Sequence, residues 1–234
     1  MLLEAIRKYK IPRFIYISTD EVYGDIPVGV QTTEHYPLNP TNPYAASKAA
    51  ADLMTQSYMK THYVPAVIVR SSNNFGTHQY PEKLHAMTIT NLIQNQKVPV
   101  HGSGQHIRSW IHVQDFCNAL DLIMHQGLDY QIYDVAGEEK SNIAVIEAIC
   151  RILDKDPKAY IEHVNDRPGA DLRYSSDASK IKKEFDWHIQ YPYSDSIKEV
   201  VDWYQEHSDW WQKIKETKEF QEHYKKQSQG QYDL

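Results

Sequence analysis

Two short, unbroken apolar runs, each ending in a polar cluster, constrain this chain more than any other feature of its sequence. Phe14-Ile15-Tyr16-Ile17 leads into Ser18-Thr19-Asp20-Glu21-Val22-Tyr23-Gly24. Val64-Pro65-Ala66-Val67-Ile68-Val69 leads into Arg70-Ser71-Ser72-Asn73-Asn74-Phe75-Gly76. Aromatic and β-branched runs without polar alternation form strands buried on both faces, as in parallel sheets covered by helices. Open α/β sheets bind ligands at the carboxyl ends of their strands, so each cluster stands where a site belongs. Between the runs, Thr41-Asn42-Pro43 supplies a polar cap and a first-turn proline, and an alanine-rich helix follows to about His62. Tyr44 and Lys48 share one face of that helix. An ammonium beside a phenol favours phenolate, which would make Tyr44 a base.

The remaining pattern repeats this alternation. A helix is expected over residues 2–10, a loop over 24–42, and a helix over 82–96. Short strands are expected at 98–100 and 109–113, then a helix over 114–125 and a strand over 131–137. Ile143, Ile146, Ile149, Ile152 and Leu153 stripe a helix over 142–153. A strand follows at 160–164, and the rest reads as helical, with Ile197, Val200, Val201 and Tyr204 on one face. Strands alternating with helices predict an α/β fold with a largely parallel sheet.

A net charge of −6 with scattered basic residues argues against nucleic acid as a partner. Two lone cysteines indicate a reducing compartment, and twelve histidines form neither H-E-x-x-H nor a Cys/His cluster, so no metal site is expected. No apolar run approaches the ~20 residues of a membrane span. The charged start is not a signal peptide, and the expected location is cytoplasmic. The nine glycines never form the strand, glycine-rich turn and helix of a dinucleotide-binding half. Gly102-Ser103-Gly104 comes nearest but lacks the third glycine.

Tyr-x-x-x-Lys alone recurs by chance, but S-T-D-E-V-Y-G is far more specific. Together they resemble the extended short-chain dehydrogenase/reductase family, in which such a pair works beside bound NAD. The Asp-Glu pair resembles nucleotide-sugar 4,6-dehydratases within that family, above all those acting on dTDP-glucose. The resemblance runs from Leu2 nearly to the end but begins well inside the family's pattern. It therefore implies a fragment or truncated product, or a missing half supplied separately. It further implies a partial Rossmann-like parallel sheet with the catalytic motifs over 1–76. A smaller carboxyl-terminal substrate-binding domain would cover 77–224, with a strand near 131–137 returning to the sheet, and a polar tail would cover 225–234.

The reaction so implied oxidises sugar C4 transiently, eliminates water across C5–C6 and reduces C6, with NAD recycled. Tyr44 would take the C4 hydroxyl proton, Lys48 would hold the nicotinamide ribose, and Thr19 would bond the C4 oxygen. Glu21 would abstract the C5 proton and Asp20 would protonate the departing C6 hydroxyl. Adjacent carboxyls divide such work only if their environments separate their proton affinities. A plain epimerase has no use for that pair. Asn73 and Asn74 match paired asparagines that meet the diphosphate and the nicotinamide region. Lys83 and Leu84 match a Pro-Glu-Lys-Leu helix start at the diphosphate. Pro99 and His101 would contact the base, with His101 standing where tyrosine is common. Arg108 would bind phosphate, a surface ion pair being its rival reading. Asn142 would face the substrate, with simple helix capping as the alternative. Asp166 and Arg167 match an Asp-Arg-Pro-Gly loop that clamps the diphosphate. The helices at 2–10 and 43–62 resemble a pair forming a homodimer interface. Two alternatives stay open: a dehydratase for a UDP- or CDP-sugar, and a catalytically silent module that binds sugar nucleotides or assembles with a partner.

Overall fold

A computed structural model describes residues 1–228. In chain order the elements are helix α1 (Leu2–Tyr9), strand β1 (Phe14–Thr19), a 3-10 turn at Asp20–Tyr23, α2 (Pro43–His62), β2 (Ala66–Ser71), β3 (Asn73–Phe75), α3 (Leu84–Ile93), β4 (Val98–His101) and β5 (Ile107–His112). Then come α4 (Val113–Gln126), β6 (Ile132–Val135), β7 (Glu138–Ser141), α5 (Asn142–Ile152), α6 (Pro157–Tyr160), β8 (Ile161–Val164), α7 (Ser179–Phe185), α8 (Tyr193–Glu206), α9 (Ser208–Lys215) and α10 (Lys218–Ser228).

The chain forms two compact units. The first comprises residues 1–74, 109–138 and 171–190. Its sheet has the order β1-β2-β6, parallel throughout, as the apolar runs predict. Thr19 stands opposite Ser71, and Ser71 opposite Val135, so the carboxyl ends line up in one row. Strand alternation sends Val67 and Val69 to one face, where they pack with Phe116, Ala119 and Ile123 of α4 and Ile181 of α7. Ala66 and Ile68 point to the other face, against Ile6 of α1 and Met59 of α2. Each buried valine, isoleucine, phenylalanine or methionine among them contributes about 1.5–3 kcal/mol. Helix α2 begins where its sequence says it should: Asn42 Oδ1 accepts from the Ala45 amide at 2.8 Å, and Pro43 occupies the first turn. It stops at Tyr63, which adopts a left-handed conformation (φ 53°).

The second unit comprises residues 75–108, 139–170 and 191–234, of which 229–234 lie outside the described residues. Its core lies among α3, α5 and α8, with Ile89, Leu92, Ile146, Ile149, Val201 and Tyr204 all inaccessible to solvent. Strands β4 and β8 pair in parallel, with His101 opposite Val164.

Several elements differ from the sequence expectation. Arg70 and Ser71 are the last residues of β2, and Asn73–Phe75 is itself a strand in a second sheet of order β3-β5-β7. Arg70 stays in a buried strand because its charge is met there, as described below. Helix α3 starts at Leu84, two residues late, because Lys83 caps it in an extended conformation. Residues 165–178 are irregular, not helical, with single bridge residues at Arg173 and at Ser176, the latter paired with Thr32. Residues 171–190 also group with the first unit. Lys225–Ser228 continue α10, while the rest of the expected tail lies outside the described residues.

Candidate active site

At the carboxyl end of β1 the chain turns directly into the 3-10 helix, and Thr19 caps it: its Oγ1 accepts from the Glu21 amide at 3.3 Å. That turn sends the two carboxyls into different surroundings. Asp20 is buried, with Oδ1 3.4 Å from the Thr19 hydroxyl. Glu21 is half-buried, and its Oε2 accepts from Asn42 Nδ2 at 3.5 Å and lies 3.4 Å from the Tyr174 phenol. Tyr174 donates more closely to Asp171 Oδ2, at 2.8 Å, which also accepts from Thr41 Oγ1 at 2.6 Å. The Glu21 carboxyl is thus braced by a chain of polar side chains that reaches back to the loop before α2. Sequence reading missed Tyr174, Asp171 and Thr41. The only signal for Asp171 and Tyr174 was a position just after the Asp-Arg-Pro-Gly loop, and Thr41 showed only as part of the helix start before α2.

Tyr44 stands in the first turn of α2, beside Thr19. Partial burial raises the proton affinity of its phenol, the Glu21 and Asp20 carboxylates raise it further, and the Thr19 hydroxyl lowers it. The expected push toward phenolate by Lys48 does not occur in this arrangement. Lys48 Nζ donates to the Ile17 carbonyl at 2.6 Å and lies 4.7 Å over the Tyr16 ring. Burial lowers the lysine's own pKa, and Asp52 partly offsets that. Helical spacing brought tyrosine and lysine to one face, but the carbonyl and ring beneath the helix set the direction of the ammonium.

The V-Y-G half of the signature has a structural task. Val22 is fully buried, and the Tyr23 hydroxyl donates to Asp134 of β6 at 2.9 Å while accepting from Arg70 Nη1 at 2.7 Å. Arg70 in turn binds Asp52 of α2 through two bonds, at 2.9 and 3.1 Å. This network ties the active-site turn to β2, β6 and α2. Burial and the nearby Glu34 carboxylate push the Asp134 pKa well up, against the opposing effects of Tyr23 and Arg70. Gly24 has φ +74°, and a β-carbon on it would sit 2.2 Å from the Asn39 carbonyl oxygen.

Asn74 Nδ2 donates to Ser71 Oγ at 2.9 Å and to the Ser72 carbonyl at 3.2 Å. Around it, Ser18 Oγ, Ser72 Oγ and Asn73 Oδ1 are buried without a protein hydrogen-bond partner. Buried polar atoms of this kind call for a polar ligand or water. They cluster at the carboxyl ends of β1 and β2.

The other sequence candidates lie in the second unit. Lys83 precedes α3 and pairs with its neighbour Glu82 at 2.8 Å, and Leu84 opens the helix half-buried. Arg108 is buried on β5, with Nη1 donating to the Ile107 carbonyl at 2.8 Å, so it is not the exposed arginine of the rival reading. Asn142 is the first residue of α5 but does not cap it; the Ser141 hydroxyl does, accepting from Ala144 at 3.3 Å. Pro99 and His101 lie on β4, and the Asp166–Arg167 turn follows its partner β8. Burial lowers the His101 pKa, its bond to the Asn165 carbonyl opposing this. His101, Asp166 and Arg167 are therefore close neighbours. Among the described residues no group of three or more His, Cys, Asp or Glu side chains could hold a metal ion. No described helix is long and apolar enough to cross a membrane.

Comparison with known proteins bears on this geometry. The model of the family described as GDP-mannose 4,6 dehydratase matches residues 1–200. The dTDP-glucose 4,6-dehydratase of Streptomyces niveus is 40% identical over 220 residues, covering 94% of this chain and 65% of that protein. Among solved structures, dTDP-glucose 4,6-dehydratase from Bacillus anthracis in complex with NAD superposes with a TM-score of 0.87 at 41% identity, covering 91% of this chain and 68% of that one. The Streptomyces venezuelae enzyme with NAD bound gives 0.88 at 37% identity, covering 91% and 66%. The chain thus spans about two thirds of the length of the relatives it matches.

Proposed function

Because the chain belongs to the family that the GDP-mannose 4,6 dehydratase model describes, we propose that it carries the acid–base residues of an NAD-dependent nucleotide-sugar 4,6-dehydratase acting on dTDP-glucose. The observation that carries this reading is the divergence of two adjacent carboxyls beside a phenol. Asp20 is only 2% exposed, whereas Glu21 opens toward solvent and keeps two polar neighbours. Two neighbouring carboxyls in such different surroundings can divide acid and base roles between them.

NAD supplies a hydride acceptor at C4 and a hydride donor at C6. Tyr44, Lys48 and Asn74 would hold its nicotinamide end, and the partnerless Ser18, Ser72 and Asn73 atoms are consistent with a polar ligand there. Thr19, beside Tyr44, would orient the C4 hydroxyl toward the phenol, which takes its proton. Once C4 is a ketone, the C5 proton is acidic and Glu21 Oε2 removes it. Asp20 gives its proton to the C6 hydroxyl, which leaves as water. On the sugar-nucleotide side, Asn73, Lys83, Leu84, Pro99, His101, Arg108, Asn142, Asp166 and Arg167 would contact base, diphosphate and sugar. The relatives' names support dTDP as the nucleotide. A homodimer through α1 and α2 and a cytoplasmic location complete the reading; two free cysteines, Cys117 and Cys150, fit a reducing compartment.

The test is an assay for the 4-keto-6-deoxy product from dTDP-glucose at saturating NAD. Glu21→Gln and Asp20→Asn are each expected to lower turnover by about 10²–10⁴-fold, with dTDP binding retained. Unchanged turnover in both variants would overturn the reading. The second reading, a silent sugar-nucleotide-binding module, draws on the absence of a glycine-rich phosphate turn from this sequence. Tight dTDP binding by the wild-type chain without product would favour it.

A further inference from the structure

β1 is the last strand on its side of the β1-β2-β6 sheet. Its Phe14 N–H donates to the Pro65 carbonyl at 2.9 Å, and in a parallel ladder the direction of the main-chain groups alternates from residue to residue. The main chain of Phe14, Tyr16 and Ser18 therefore faces β2, while that of Ile15 and Ile17 faces outward, where no strand pairs with it. Among the described residues, Lys48 is the one side chain bonded there: its Nζ donates to the Ile17 carbonyl at 2.6 Å. The opposite edge of the sheet is closed more fully. Ile68 N–H donates to the Gln131 carbonyl, which turns the main chain of Ile132 and Asp134 outward on β6. Lys180 Nζ donates to the Ile132 carbonyl at 2.7 Å, and Glu34 Oε1 accepts from the Asp134 amide at 3.1 Å, so a carbonyl and an N–H are both met. Edge strands usually carry lysine, proline or a bulge against stray pairing, and Phe14–Thr19 has neither lysine nor proline. The side chains tell the same story. Phe14-Ile15-Tyr16-Ile17 is the unbroken apolar run of a strand covered on both faces, yet only Ser18 and Thr19 of β1 are buried and Ile17 is 43% exposed. β2, with a similar run, is buried at every residue.

We infer that the outer edge of β1 is a docking edge for an extended, mainly apolar polypeptide segment from outside this sequence, and that Lys48 caps this edge until the segment pairs with it. The occupant follows from what the edge lacks. Outward N–H and C=O groups at strand spacing are met in full only by another main chain, and the open side at Ile17 calls for apolar side chains beside it. Pairing places an N–H of the segment on the Ile17 carbonyl, so the Lys48 ammonium gives up that bond. It then turns away from the strand, with Tyr44 one turn back on the same face of α2. The orientation that helical spacing predicts for the tyrosine and lysine thus becomes conditional on completing the sheet. The consequence for Tyr44 rests on the dehydratase reading above; the docking edge does not.

The probe is the longest stretch of the Streptomyces niveus relative outside the match, which leaves about a third of that protein uncovered, made as a separate polypeptide. Amide hydrogen exchange followed by NMR should show Ile15 and Ile17 exchanging openly in the chain alone and slowing by about a hundredfold when the probe saturates, with the Asp134 amide of β6 unchanged. Ile17→Pro removes an outward N–H without touching a bond to β2, and should weaken probe binding by about tenfold in calorimetry. Retained protection of the Val67 and Val69 amides shows that the sheet is intact, and Ile17→Lys takes the place of proline if it is not. No probe binding, or binding that leaves the Ile15 and Ile17 amides open, would overturn the docking edge. Protection of those amides that rises with chain concentration without probe would overturn the choice of occupant in favour of a second copy. The Lys48 ε-methylene protons, shifted upfield by the Tyr16 ring 4.7 Å from the ammonium, should move downfield as the probe saturates. An unmoved Lys48 signal beside protected amides would overturn the cap. No step uses NAD or a sugar nucleotide, so failure here and failure of the dehydratase reading are seen separately.

Discussion

Arg70 and Asp52 face each other with 2% and 0% of their side chains exposed. A buried ion pair adds little net stability, but removing one partner strands the other's charge at a cost of about 3–5 kcal/mol. Arg70→Met is therefore expected to lower unfolding stability in urea by about that much, and Arg70→Met with Asp52→Leu by less. A double variant as damaged as the single one would show that the bonds to Tyr23 and the Glu34 carbonyl matter more than the charge pair. His85 gives a different signature. Burial lowers its pKa from 6.5 to about 3, and the neutral ring stacks on Phe75 at 5.0 Å and meets the Tyr193 hydroxyl at 3.1 Å. Below pH 6.5 the unfolded chain binds a proton there that the folded chain refuses. Stability should then fall with pH, by up to about 1.4 kcal/mol per pH unit, until the folded histidine titrates. Urea unfolding at pH 7, 6 and 5 should show that slope in wild type and a flatter one in His85→Gln.

At the scale of elements, two glycines in one loop separate backbone conformation from crowding. Gly24 and Gly29 both have positive φ, +74° and +85°. A β-carbon at Gly29 meets nothing within 4 Å, whereas at Gly24 it would strike the Asn39 carbonyl oxygen at 2.2 Å. Gly29→Ala should cost only the conformational penalty, about 1–2 kcal/mol. Gly24→Ala adds an overpacking cost of about 1–3 kcal/mol and displaces the turn carrying Asp20 and Glu21. Equal losses in the two variants by urea unfolding would contradict the crowding argument. The Gly24 constraint also explains why the signature motif extends past its two carboxyls.

For the whole molecule, the proposed homodimer has a direct check. Leu2 and Tyr9 of α1 are 72% and 68% exposed, and Leu53 and Met54 of α2 are each 54% exposed. Large apolar side chains this open on neighbouring helices suit an interface with a second copy. Light scattering at micromolar concentration is expected to give twice the chain mass, and Leu53→Glu with Met54→Glu to give the single mass. A wild-type monomer at that concentration would count against dimerisation.

What the sequence determined by itself is local. Continuous apolar runs made β1 and β2 parallel strands, but only β2 is buried along its length, since β1 is paired on one side alone and leaves Ile17 43% exposed, and Asn42-Pro43 started α2 at the right residue. Covalent neighbourhood alone placed Thr19, Asp20 and Glu21 at one strand end, since period and capping act over a few residues. Tertiary structure decided the rest. It turned Lys48 toward the Ile17 carbonyl, brought Tyr174 to Glu21 across 153 positions, kept Arg70 inside a strand by setting Asp52 against it, and drew Asp166 to His106. Such pairings depend on which buried polar groups find partners once the elements pack, and no spacing along the chain encodes that.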